Sequence, residues 1–419
     1  MISEAKNCQK WLSVVGIGEN GIAGLNPIAR SLLENAEVIF GGDRHLAMLP
    51  ESAPRSGSLR DRQEKLVWTT PIEHSITEII RRRGQSVCVL ASGDPMCYGI
   101  GVTLIRRIPL SEMTIIPSKS AFSLACAKLG WSLTEVELLS LCGRDPNLLN
   151  AVLYPNARLL ILSAGKQTPK TVAEILVEKG YSNSEITVLE HLGGEKERIV
   201  RGIAASWDAN DIADLNAIAL NCIADPNTIP LSRLPGLPDN AYHHDGQLTK
   251  KEIRSITIAA LAPIPGQLLW DVGAGCGSIG IEWMRSDRRC RAIAIEQNSQ
   301  RVSYIANNAS ALGVPNLKIV AGVAPNILTN LPQPDTIFIG GGLTAENLLE
   351  TCWNALSAKG RLVANAVTVE GEQKLLQWQR ELGGELTRIA ISRAEPLGTF
   401  WGWKAIAPVT QWAVLKSKK

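Results

Sequence analysis

The feature that most constrains the fold of this chain is an apolar run that ends in a glycine-rich turn, LLWDVGAGCG at residues 268–277. Because Gly273, Gly275 and Gly277 lack side chains, a ligand can approach the backbone of the turn closely. A helical segment follows, and the next apolar run ends on Glu296. A carboxylate at that position can accept hydrogen bonds from both ribose hydroxyls of an adenosine ligand. The segment predicts an open α/β sheet that binds such a ligand at the carboxyl ends of its strands.

Two adenosine ligands fit this outline, a nicotinamide dinucleotide and S-adenosyl-L-methionine. Dinucleotide loops usually run G-x-G-x-x-G and present backbone amides to a pyrophosphate. Here the spacing is G-x-G-x-G, and Asp271 precedes the loop. An acidic residue suits the ammonium group of an amino-acid tail, which carries no phosphate. We therefore predict S-adenosyl-L-methionine as the cofactor and keep the nicotinamide cofactor as the alternative.

Short apolar runs alternate with amphipathic segments on both sides of a proline-rich stretch. That alternation is typical of α/β domains with largely parallel sheets. The stretch at residues 225–246 carries four prolines, a density that cannot continue a helix or a central strand. It is predicted to be a linker between domains at 1–224 and 247–419. The predicted strands lie at residues 12–15, 38–40, 87–91, 113–116, 159–163 and 186–189, then at 268–272, 291–295, 317–320, 336–339 and 361–365.

The first half carries two glycine-lined loops of its own. The sequence VVGIG at residues 14–18 ends one apolar run, and ASGDP at residues 91–95 ends another. Asp94 before Pro95 is also ordinary for a turn or a helix cap. Two such loops after two buried strands can nevertheless line one side of a cleft, which predicts a second ligand site.

The net charge and the cysteine pattern predict which kinds of partner the protein binds and which cellular compartment it occupies. The net charge is +3, and the densest basic patch, residues 81–83, ends a predicted helix where cations are favoured. A nucleic-acid-binding protein usually shows a larger positive stripe, so we expect no nucleic acid partner. The nine cysteines show no CxxC pair and no metal-ligand spacing, which indicates a cytoplasmic protein without a metal site. No apolar run reaches membrane-spanning length and no signal peptide fits, so we expect no membrane partner.

The second half resembles one family, the decarboxylating precorrin methyltransferases, which are class I enzymes with a Rossmann-like fold. The resemblance covers about residues 236–415. The segments that carry it are 248–250, 271–280, 324–325, 338–342, 362–368 and 392–398. By that resemblance the cofactor contacts are Thr249, Gly273, Ala274, Gly275, Cys276, Gly277, Glu296 and Ala324. One position departs from the family, because Val323 stands where an acidic residue is usual.

The first half resembles the tetrapyrrole methylases, class III enzymes with two α/β subdomains and the cofactor in the cleft between them. The resemblance covers about residues 11–222 and implies subdomains at about 8–112 and 113–224. The segments that carry it, in addition to the two glycine loops, are 41–45, 117–120, 140–145 and 191–194. The implied cofactor contacts are Gly16, Gly18, Gly93, Asp94, Pro95 and Ser120. Glu19 and Asn20 replace a frequent proline-glycine pair, and Ser118 replaces a glycine.

Four residues are predicted to contact a substrate, namely Arg44, Arg144, Gly341 and Arg393. A guanidinium can hold a carboxylate bidentately, and a glycine run lets a large flat ligand approach. The alternatives are solvation of the arginines and a flexible loop at Gly341. His45 and His191 suggest acid–base roles, but lone histidines near glycine turns are more often structural. No general acid or base is therefore assigned.

Both halves together resemble a fusion family, the precorrin-6Y C5,15-methyltransferases (decarboxylating) of cobalamin biosynthesis. The resemblance implies methylation of a tetrapyrrole at carbon 5 by the first half and at carbon 15 by the second. It also implies loss of carbon dioxide from the carbon-12 acetate, precorrin-8 as product, and a homo-oligomer. Two alternatives stay open: the cobalt-containing substrate of the anaerobic pathway, or one active half with the other as a binding or assembly module.

Overall fold

The structure is a computed structural model that describes residues 10–50 and 63–417 of the 419-residue chain. Its internal contacts divide the chain into two units. Of the described residues, the first unit holds 10–50, 63–144 and 155–226, and the second holds 145–154 and 227–417. Both units are α/β, which confirms the predicted fold class. Residues 1–9 of the predicted first domain lie outside the described residues.

The first sheet of the first unit is built from five parallel strands. The strands are β1 (Leu12–Ile17), β2 (Val38–Gly41), β3 (Glu64–Val67), β4 (Val87–Ser92) and β5 (Met113–Ile116), and the helices are α1 (Pro27–Glu34), α2 (Asp43–Ala47), α3 (Ile72–Arg81) and α4 (Ile100–Leu104). Their order is β3-β2-β4-β1-β5. The central strands β1 and β4 are buried over almost their whole length, as expected for a parallel sheet covered on both faces.

The second sheet of the first unit is mixed. Its strands are β6 (Glu137–Ser140), β7 (Arg158–Leu162), β8 (Glu185–Glu190), β9 (Arg198–Ile203) and β10 (Asn216–Asn221), accompanied by α5 (Ala121–Leu129) and α6 (Thr168–Glu178). The order is β6-β7-β10-β8-β9, with only the β6–β7 pair parallel. The first unit therefore has two α/β layers, each with its own sheet, as the tetrapyrrole methylase resemblance implies.

The predicted boundary between these subdomains, at residues 112 and 113, needs correction. Strand β5 begins at Met113 and pairs in parallel with β1 over residues 113–116, so it belongs to the first sheet. The change of sheet falls between β5 and β6. The apolar pattern of β5 marks a strand without saying which sheet edge it joins, because pairing depends on residues distant in sequence.

The second unit contains a seven-stranded sheet, five of whose strands are parallel. Its elements are α7 (Lys251–Leu261), β11 (Leu268–Val272), α8 (Ser278–Ser286), β12 (Arg291–Glu296), α9 (Ser299–Ala311), β13 (Lys318–Ala321), β14 (Thr336–Ile339), α10 (Leu348–Ala355), β15 (Arg361–Ala366), α11 (Val369–Leu382), β16 (Glu385–Ile389), β17 (Ser392–Leu397), β18 (Phe400–Ala405) and β19 (Val409–Leu415). The order is β13-β12-β11-β14-β15-β19-β16, with β19 antiparallel to both neighbours. Strands β17 and β18 form a separate hairpin.

The proline-rich segment predicted as a linker is packed for much of its length. Leu237 and Tyr242 are 2% and 5% exposed and belong to the core of the second unit. The carboxylate of Glu282 on α8 accepts hydrogen bonds from the amides of Gly236 and Leu237, at 2.7 and 3.1 Å, and from the Tyr242 hydroxyl at 3.0 Å. The segment has no α-helix or strand and only a short 3-10 helix, Asp239–Ala241, but its prolines do not prevent an extended chain from packing on a helix.

One short segment of the chain belongs to the second unit although it lies far from it in sequence. Residues 145–154 contain a 3-10 helix, Pro146–Ala151, in which Leu149 is fully buried. The side-chain amide of Asn150 donates to the carbonyl of Ser310 at 3.0 Å. The domain boundary predicted at residue 224 does not account for residues 145–154, because the composition of that segment is that of an ordinary loop.

Across residues 10–50 and 63–417, no helix has the length and apolar character that crossing a membrane would require.

Candidate functional sites

The second unit has a cavity of about 620 Å³ at the carboxyl ends of its parallel strands. This is where an open α/β sheet places its ligand. Nearly all the residues that the sequence assigned to this site line the cavity, namely Thr249, Gly273, Ala274, Gly275, Cys276, Glu296, Ala324 and Gly341. We call it the second-unit cavity. That these residues contact a cofactor stays a prediction.

The glycine loop after β11 adopts a shape that needs its glycines. Gly273, Gly275 and Gly277 have φ of +71°, +58° and +82°, a region that residues with side chains rarely occupy. A β-carbon on Gly273 would lie 2.8 Å from the amide nitrogen of Gly341. The two glycine segments that the sequence singled out separately therefore pack against each other. Gly277 begins α8 against Ile305 and is not among the residues that line the cavity.

Glu296 closes β12 beside this loop and is 5% exposed. Its carboxylate accepts hydrogen bonds from the backbone amides of Gly275, at 2.8 Å, and Asn298, at 2.9 Å. The sequence predicted a ribose contact, and the structure adds a second task, because the same carboxylate fixes the glycine loop. Each carboxylate oxygen can accept a further bond, so both tasks are compatible.

Asp271 lies at the floor of the second-unit cavity and is 1% exposed. Its Oδ2 accepts from the amide of Gly280 at 2.9 Å, whereas Oδ1 is buried without a hydrogen-bond partner. Burial raises the pKa of Asp271 to about 7, and the negative charge of Glu296 acts in the same direction. A buried unpaired carboxylate oxygen is costly, and a cationic ligand group in the cavity would satisfy it. The arrangement fits the ammonium of an amino-acid tail.

Arg393 was predicted to contact substrate, but the structure does not bring it to the cavity. Its guanidinium donates to Glu252 at 2.6 and 3.2 Å and to Asp239 at 3.0 Å. These carboxylates join the β17–β18 hairpin to α7 and to the proline-rich segment. That Arg393 contacts substrate stays a prediction, because a sequence motif does not reveal which acidic side chains already bind an arginine.

The first unit has its own cavity, which we call the first-unit cavity. Of the residues predicted for this half, it is lined by Gly18, Arg44, Gly93, Asp94 and Ser120. The cavity is also lined by residues from both subdomains, including Glu19 from the first glycine loop and His191 from the loop after β8. The site therefore lies between the two subdomains, where the resemblance implies the cofactor.

Three residues predicted for the first half do not line its cavity. Gly16 lies where a β-carbon would be 2.0 Å from the carbonyl oxygen of Gly93, so it allows the two loops to touch. Pro95 follows Asp94, whose Oδ1 accepts from the amide of Met96 at 2.8 Å and forms a turn. Arg144 stacks on the ring of Tyr98, 5.0 Å from its centroid.

An ion-paired cluster occupies one end of the first-unit cavity. The carboxylate of Glu19 accepts from Arg44 through Oε1, and its Oε2 lies 2.8 Å from Nδ1 of His191. Burial raises the pKa of Glu19, but the hydrogen bond with His191 and the charge of Arg44 outweigh burial and lower it. Arg44 was predicted to hold substrate carboxylates. Here its guanidinium is engaged by Glu19 and by the hydroxyl of Ser92, at 2.8 Å.

His45 and His191, both singled out in the sequence, lie in different surroundings. His45 is 7% exposed, and burial together with the charge of Arg44 lowers its pKa to about 4, so its ring is neutral. That His45 has a structural role stays a prediction, and its burial supports it. His191 keeps 24% of its side chain exposed and faces the cavity. The sequence could not distinguish them, because both follow a buried strand.

Sequence reasoning missed several residues of these cavities. Asn365 and Val409 in the second unit, and Lys119 in the first, line the cavities although none was predicted to be a site residue. Lys119 lies inside the recognised segment 117–120, and Val409 lies outside every recognised segment. Asn365 was inside a recognised segment but carried no assigned role. Within the part of the chain that the structure describes, no three histidine, cysteine or acidic side chains are grouped to hold a metal ion.

Comparison with known proteins assigns the two units to two families. Residues 12–207 match the tetrapyrrole (corrin/porphyrin) methylases, and residues 240–416 match the precorrin methyltransferase domain. Both matches agree with the sequence-based assignment of each half, including their order along the chain.

Similar proteins extend over the whole chain. A precorrin-6Y C(5,15)-methyltransferase (decarboxylating) from Sinorhizobium sp is 45% identical over 414 residues, which is 99% of this chain and 98% of the relative. The protein of the same name from Mycobacterium tuberculosis (strain CDC 1551 / Oshkosh) is 42% identical, over 96% of this chain and 99% of its own length. A cobalt-precorrin-7 C(5)-methyltransferase from Salmonella typhimurium is 29% identical and covers 49% of this chain and 98% of its own length. The chain belongs to the family of the precorrin-6Y C(5,15)-methyltransferases (decarboxylating).

Proposed function

We propose that this methyltransferase adds methyl groups at carbons 5 and 15 of precorrin-6Y and removes carbon dioxide from the carbon-12 acetate, giving precorrin-8. The observation that carries the proposal is the pair of glycine-lined cavities, one in each unit, in a chain that matches relatives of that name over almost its full length. A single methyl transfer would need only one such cavity.

S-adenosyl-L-methionine is the proposed methyl donor at both cavities. In the second unit, the unpaired Oδ1 of Asp271 suits the ammonium of the donor, and the carboxylate of Glu296 suits its ribose. The glycine loop between them leaves the backbone open to the donor. When bound, the donor supplies a sulfonium methyl group that is already strongly electrophilic. The protein then mainly aligns the reactants and excludes water.

We assign carbon 5 to the first unit and carbon 15 with decarboxylation to the second. Support comes from the half-length relative named for C(5) methylation and from the match of residues 240–416 to the precorrin methyltransferase domain. Decarboxylation of an acetate arm needs an electron sink, which the conjugated macrocycle can supply. No further cofactor is required for it.

The test is the stoichiometry of the complete reaction. The purified full chain, incubated with precorrin-6Y and S-adenosyl-L-methionine, should release two molecules of S-adenosylhomocysteine and one of carbon dioxide per substrate. A parallel incubation with the cobalt-loaded substrate addresses the alternative of the anaerobic pathway. Faster turnover of the cobalt form would favour that alternative, and no methyl transfer to either form would refute the proposal.

A second candidate function is that only one unit is active. The first-unit cavity measures about 230 Å³, well below the second-unit cavity and small for a ligand site. Calorimetric titration with S-adenosylhomocysteine should give two bound molecules per chain. One molecule per chain would favour a single active unit with the first as a binding or assembly module.

We further propose that the chain forms a homo-oligomer through the β17–β18 hairpin. Phe400, Trp401 and Trp403 on this hairpin are 77%, 73% and 80% exposed. Clustered exposed aromatic side chains usually mark an interaction site, and an isolated two-stranded sheet is marginally stable alone. Pairing with a second copy would cover both the aromatic rings and the strand edges.

Light scattering tests this assembly. The full chain should show a multiple of its 45.3 kDa mass, and Trp401→Ser combined with Trp403→Ser should lower it, whereas Lys404→Ser on the same strand should not. A parent protein of single-chain mass would contradict the proposal. If the double variant keeps the mass of the parent protein but binds substrate more weakly, the hairpin instead contacts the macrocycle.

We also place the protein in the cytoplasm, with a small tetrapyrrole as its partner rather than nucleic acid. The eight cysteines among the described residues are all free thiols, which suits a reducing compartment. The near-balanced charge of +3 offers little attraction to a phosphate backbone. Filter binding of labelled RNA at low salt, with no retention expected, tests the second point.

A further inference from the structure

The ion-paired cluster of the first-unit cavity contains a histidine–carboxylate pair that no other part of the proposed function uses. Nδ1 of His191 lies 2.8 Å from Oε2 of Glu19, and both side chains line the cavity. The residues come from different subdomains, 172 positions apart in sequence. Their side chains are 24% and 14% exposed, so the pair is shielded yet reachable from the cavity.

The hydrogen bond fixes which ring nitrogen of His191 can accept a proton. An ionised carboxylate only accepts hydrogen bonds, so Nδ1 of His191 must carry the proton that it shares with Glu19. In the neutral ring, Nε2 then holds the lone pair. Arg44 stabilises this tautomer indirectly, because its guanidinium also binds Glu19 and favours the ionised form of the carboxylate. The ring is thus oriented as a base.

The backbone around the pair is built to hold this geometry. His191 has φ of +46°, a left-handed conformation that non-glycine residues rarely adopt, and its loop continues to Gly194. A β-carbon on Gly194 would lie 2.6 Å from the β-carbon of Glu19. Only glycine therefore lets this loop come close enough for the hydrogen bond. Unusual backbone conformations of this kind concentrate at functional sites.

We propose that His191 is the catalytic proton acceptor for methylation at carbon 5, and that Glu19 is its positioning residue. The inference rests on the proposed function of the first unit. The alternative is that the pair merely ties the two subdomains together, and the experiment below separates these roles.

The proton balance of the reaction gives His191 its task. The ring carbon supplies the electron pair of the new carbon–carbon bond, and the carbon–sulfur bond of the donor breaks with its pair left on sulfur. The positive charge of the sulfonium therefore passes to the macrocycle, which must lose one proton to return to its starting charge. Nε2 of His191 accepts that proton, and Glu19 stabilises the resulting imidazolium. The proton then passes to solvent, one for each methyl group transferred.

The substitution His191→Asn isolates proton acceptance from the structural tie. Asparagine tolerates the left-handed conformation, and its side-chain amide can still donate to Glu19, but it cannot accept a proton at neutral pH. We expect the kcat for carbon-5 methylation to fall by about 100-fold or more, the usual size of a general-base contribution. The affinity of the first unit for S-adenosylhomocysteine should stay within about threefold, and carbon-15 methylation should be unchanged.

Two further variants make the test independent of that substitution. His191→Gly also suits φ of +46° and leaves space for a ring, so added imidazole should restore carbon-5 methylation. Glu19→Gln keeps an acceptor for Nδ1 but removes the charge, so it should lower kcat less than His191→Asn does. In ¹⁵N NMR of the histidine rings without any ligand, the neutral form of the His191 ring should carry its proton on Nδ1 rather than on Nε2.

The outcomes separate the inference from the function on which it rests. If the unsubstituted chain methylates carbon 15 but not carbon 5, the proposed function of the first unit fails. If it methylates carbon 5 and His191→Asn does so at a rate within about threefold, the inference fails alone. An affinity loss that matches the rate loss, absence of imidazole rescue, or a protonated Nε2 would likewise overturn it in favour of a structural tie.

Discussion

Individual carboxylates in the two cavities have opposite electrostatic surroundings. Glu19 has Arg44 and His191 as partners, and its pKa lies below the ordinary value although burial acts against this. Asp271 has one amide donor, no cation and the negative Glu296 nearby, and burial raises its pKa to about 7. The protein itself therefore supplies the cationic partners of Glu19, whereas the cationic partner of Asp271 would come from a ligand.

This difference predicts proton release when the second unit binds its donor. An ammonium beside Asp271 favours the ionised carboxylate and lowers its pKa. Binding of S-adenosyl-L-methionine at about pH 6, where Asp271 is largely protonated, should release close to one proton, and binding above about pH 8 should release none from this group. Calorimetry in two buffers with different ionisation enthalpies measures the release. Asp271→Asn should abolish it, and equal heats in both buffers for the unsubstituted chain would contradict the assignment.

Glu296 leads to a prediction about affinity. Removing its carboxylate in Glu296→Ala loses two charge-assisted bonds to the ribose, which should cost roughly 2–4 kcal/mol, or about 30- to 700-fold in affinity. Because the same carboxylate holds the amide of Gly275, some of the loss will come from a less ordered loop. Titration should show one weakened and one unchanged site. Two unchanged sites would make Glu296 a purely local structural charge.

At the scale of elements, two segments of the second unit are fixed by parts of the chain distant in sequence. The glycine loop after β11 packs against the glycines after β14, and the proline-rich segment is held on α8 by Glu282. Glu282 also accepts from Arg254 of α7 at 2.5 Å, and both side chains are essentially buried. This pair connects α7, α8 and the proline-rich segment in one network.

The network predicts a large stability loss when the carboxylate is removed. Glu282→Ala leaves the guanidinium of Arg254 buried without its main counter-charge, which should lower the free energy of unfolding by about 3–5 kcal/mol. Glu282→Gln, which keeps the shape and one acceptor, should lose less. Denaturant unfolding combined with hydrogen exchange of the α8 amides measures both values. A loss under about 1 kcal/mol in Glu282→Ala would show that water or other groups compensate.

At the scale of the whole molecule, the chain combines two α/β units of different topology, each with its own cavity. The first unit has one parallel and one mixed sheet, and the second has a seven-stranded sheet. The two units are not copies of one another, so their sites can be disabled separately. If both cavities are active sites, as proposed, their division of labour is visible in the mass of the products.

Two variants test this division in the intact chain. Asp94→Ala, in the first-unit cavity, should give a product with one methyl group added and carbon dioxide already lost, because the second site keeps its transition-state binding. Gly275→Val places a branched side chain where φ is +58° and the donor meets the backbone, so carbon-15 methylation should stop. Product mass spectrometry decides between the sites. A singly methylated Asp94→Ala product that retains its carboxylate would assign decarboxylation to the first unit.

The sequence by itself determined the fold class, the family and the glycine-rich loop that lines part of the second-unit cavity. Glycine loops after buried strands can be recognised from a short stretch of sequence. A turn that needs both left-handed backbone and close approach of a ligand has its glycines at nearby positions along the chain. The strands β11 and β14 were predicted with their observed bounds because continuous apolar runs mark buried parallel strands. Strand β10, central in the second sheet, was missed because its apolar run of four residues includes two alanines, which are weak strand formers, between two asparagines.

Only the tertiary structure decided which partners each charged side chain has. Arg393 and Arg44 both match a substrate-binding pattern, yet the first is occupied by Glu252 and Asp239 and the second by Glu19. The pairing of Glu19 with His191 joins residues from different sheets, and no spacing along the chain encodes it. Hydrogen bonds and ion pairs depend on distances of a few ångströms between segments far apart in sequence, and those distances are set when the sheets and loops pack.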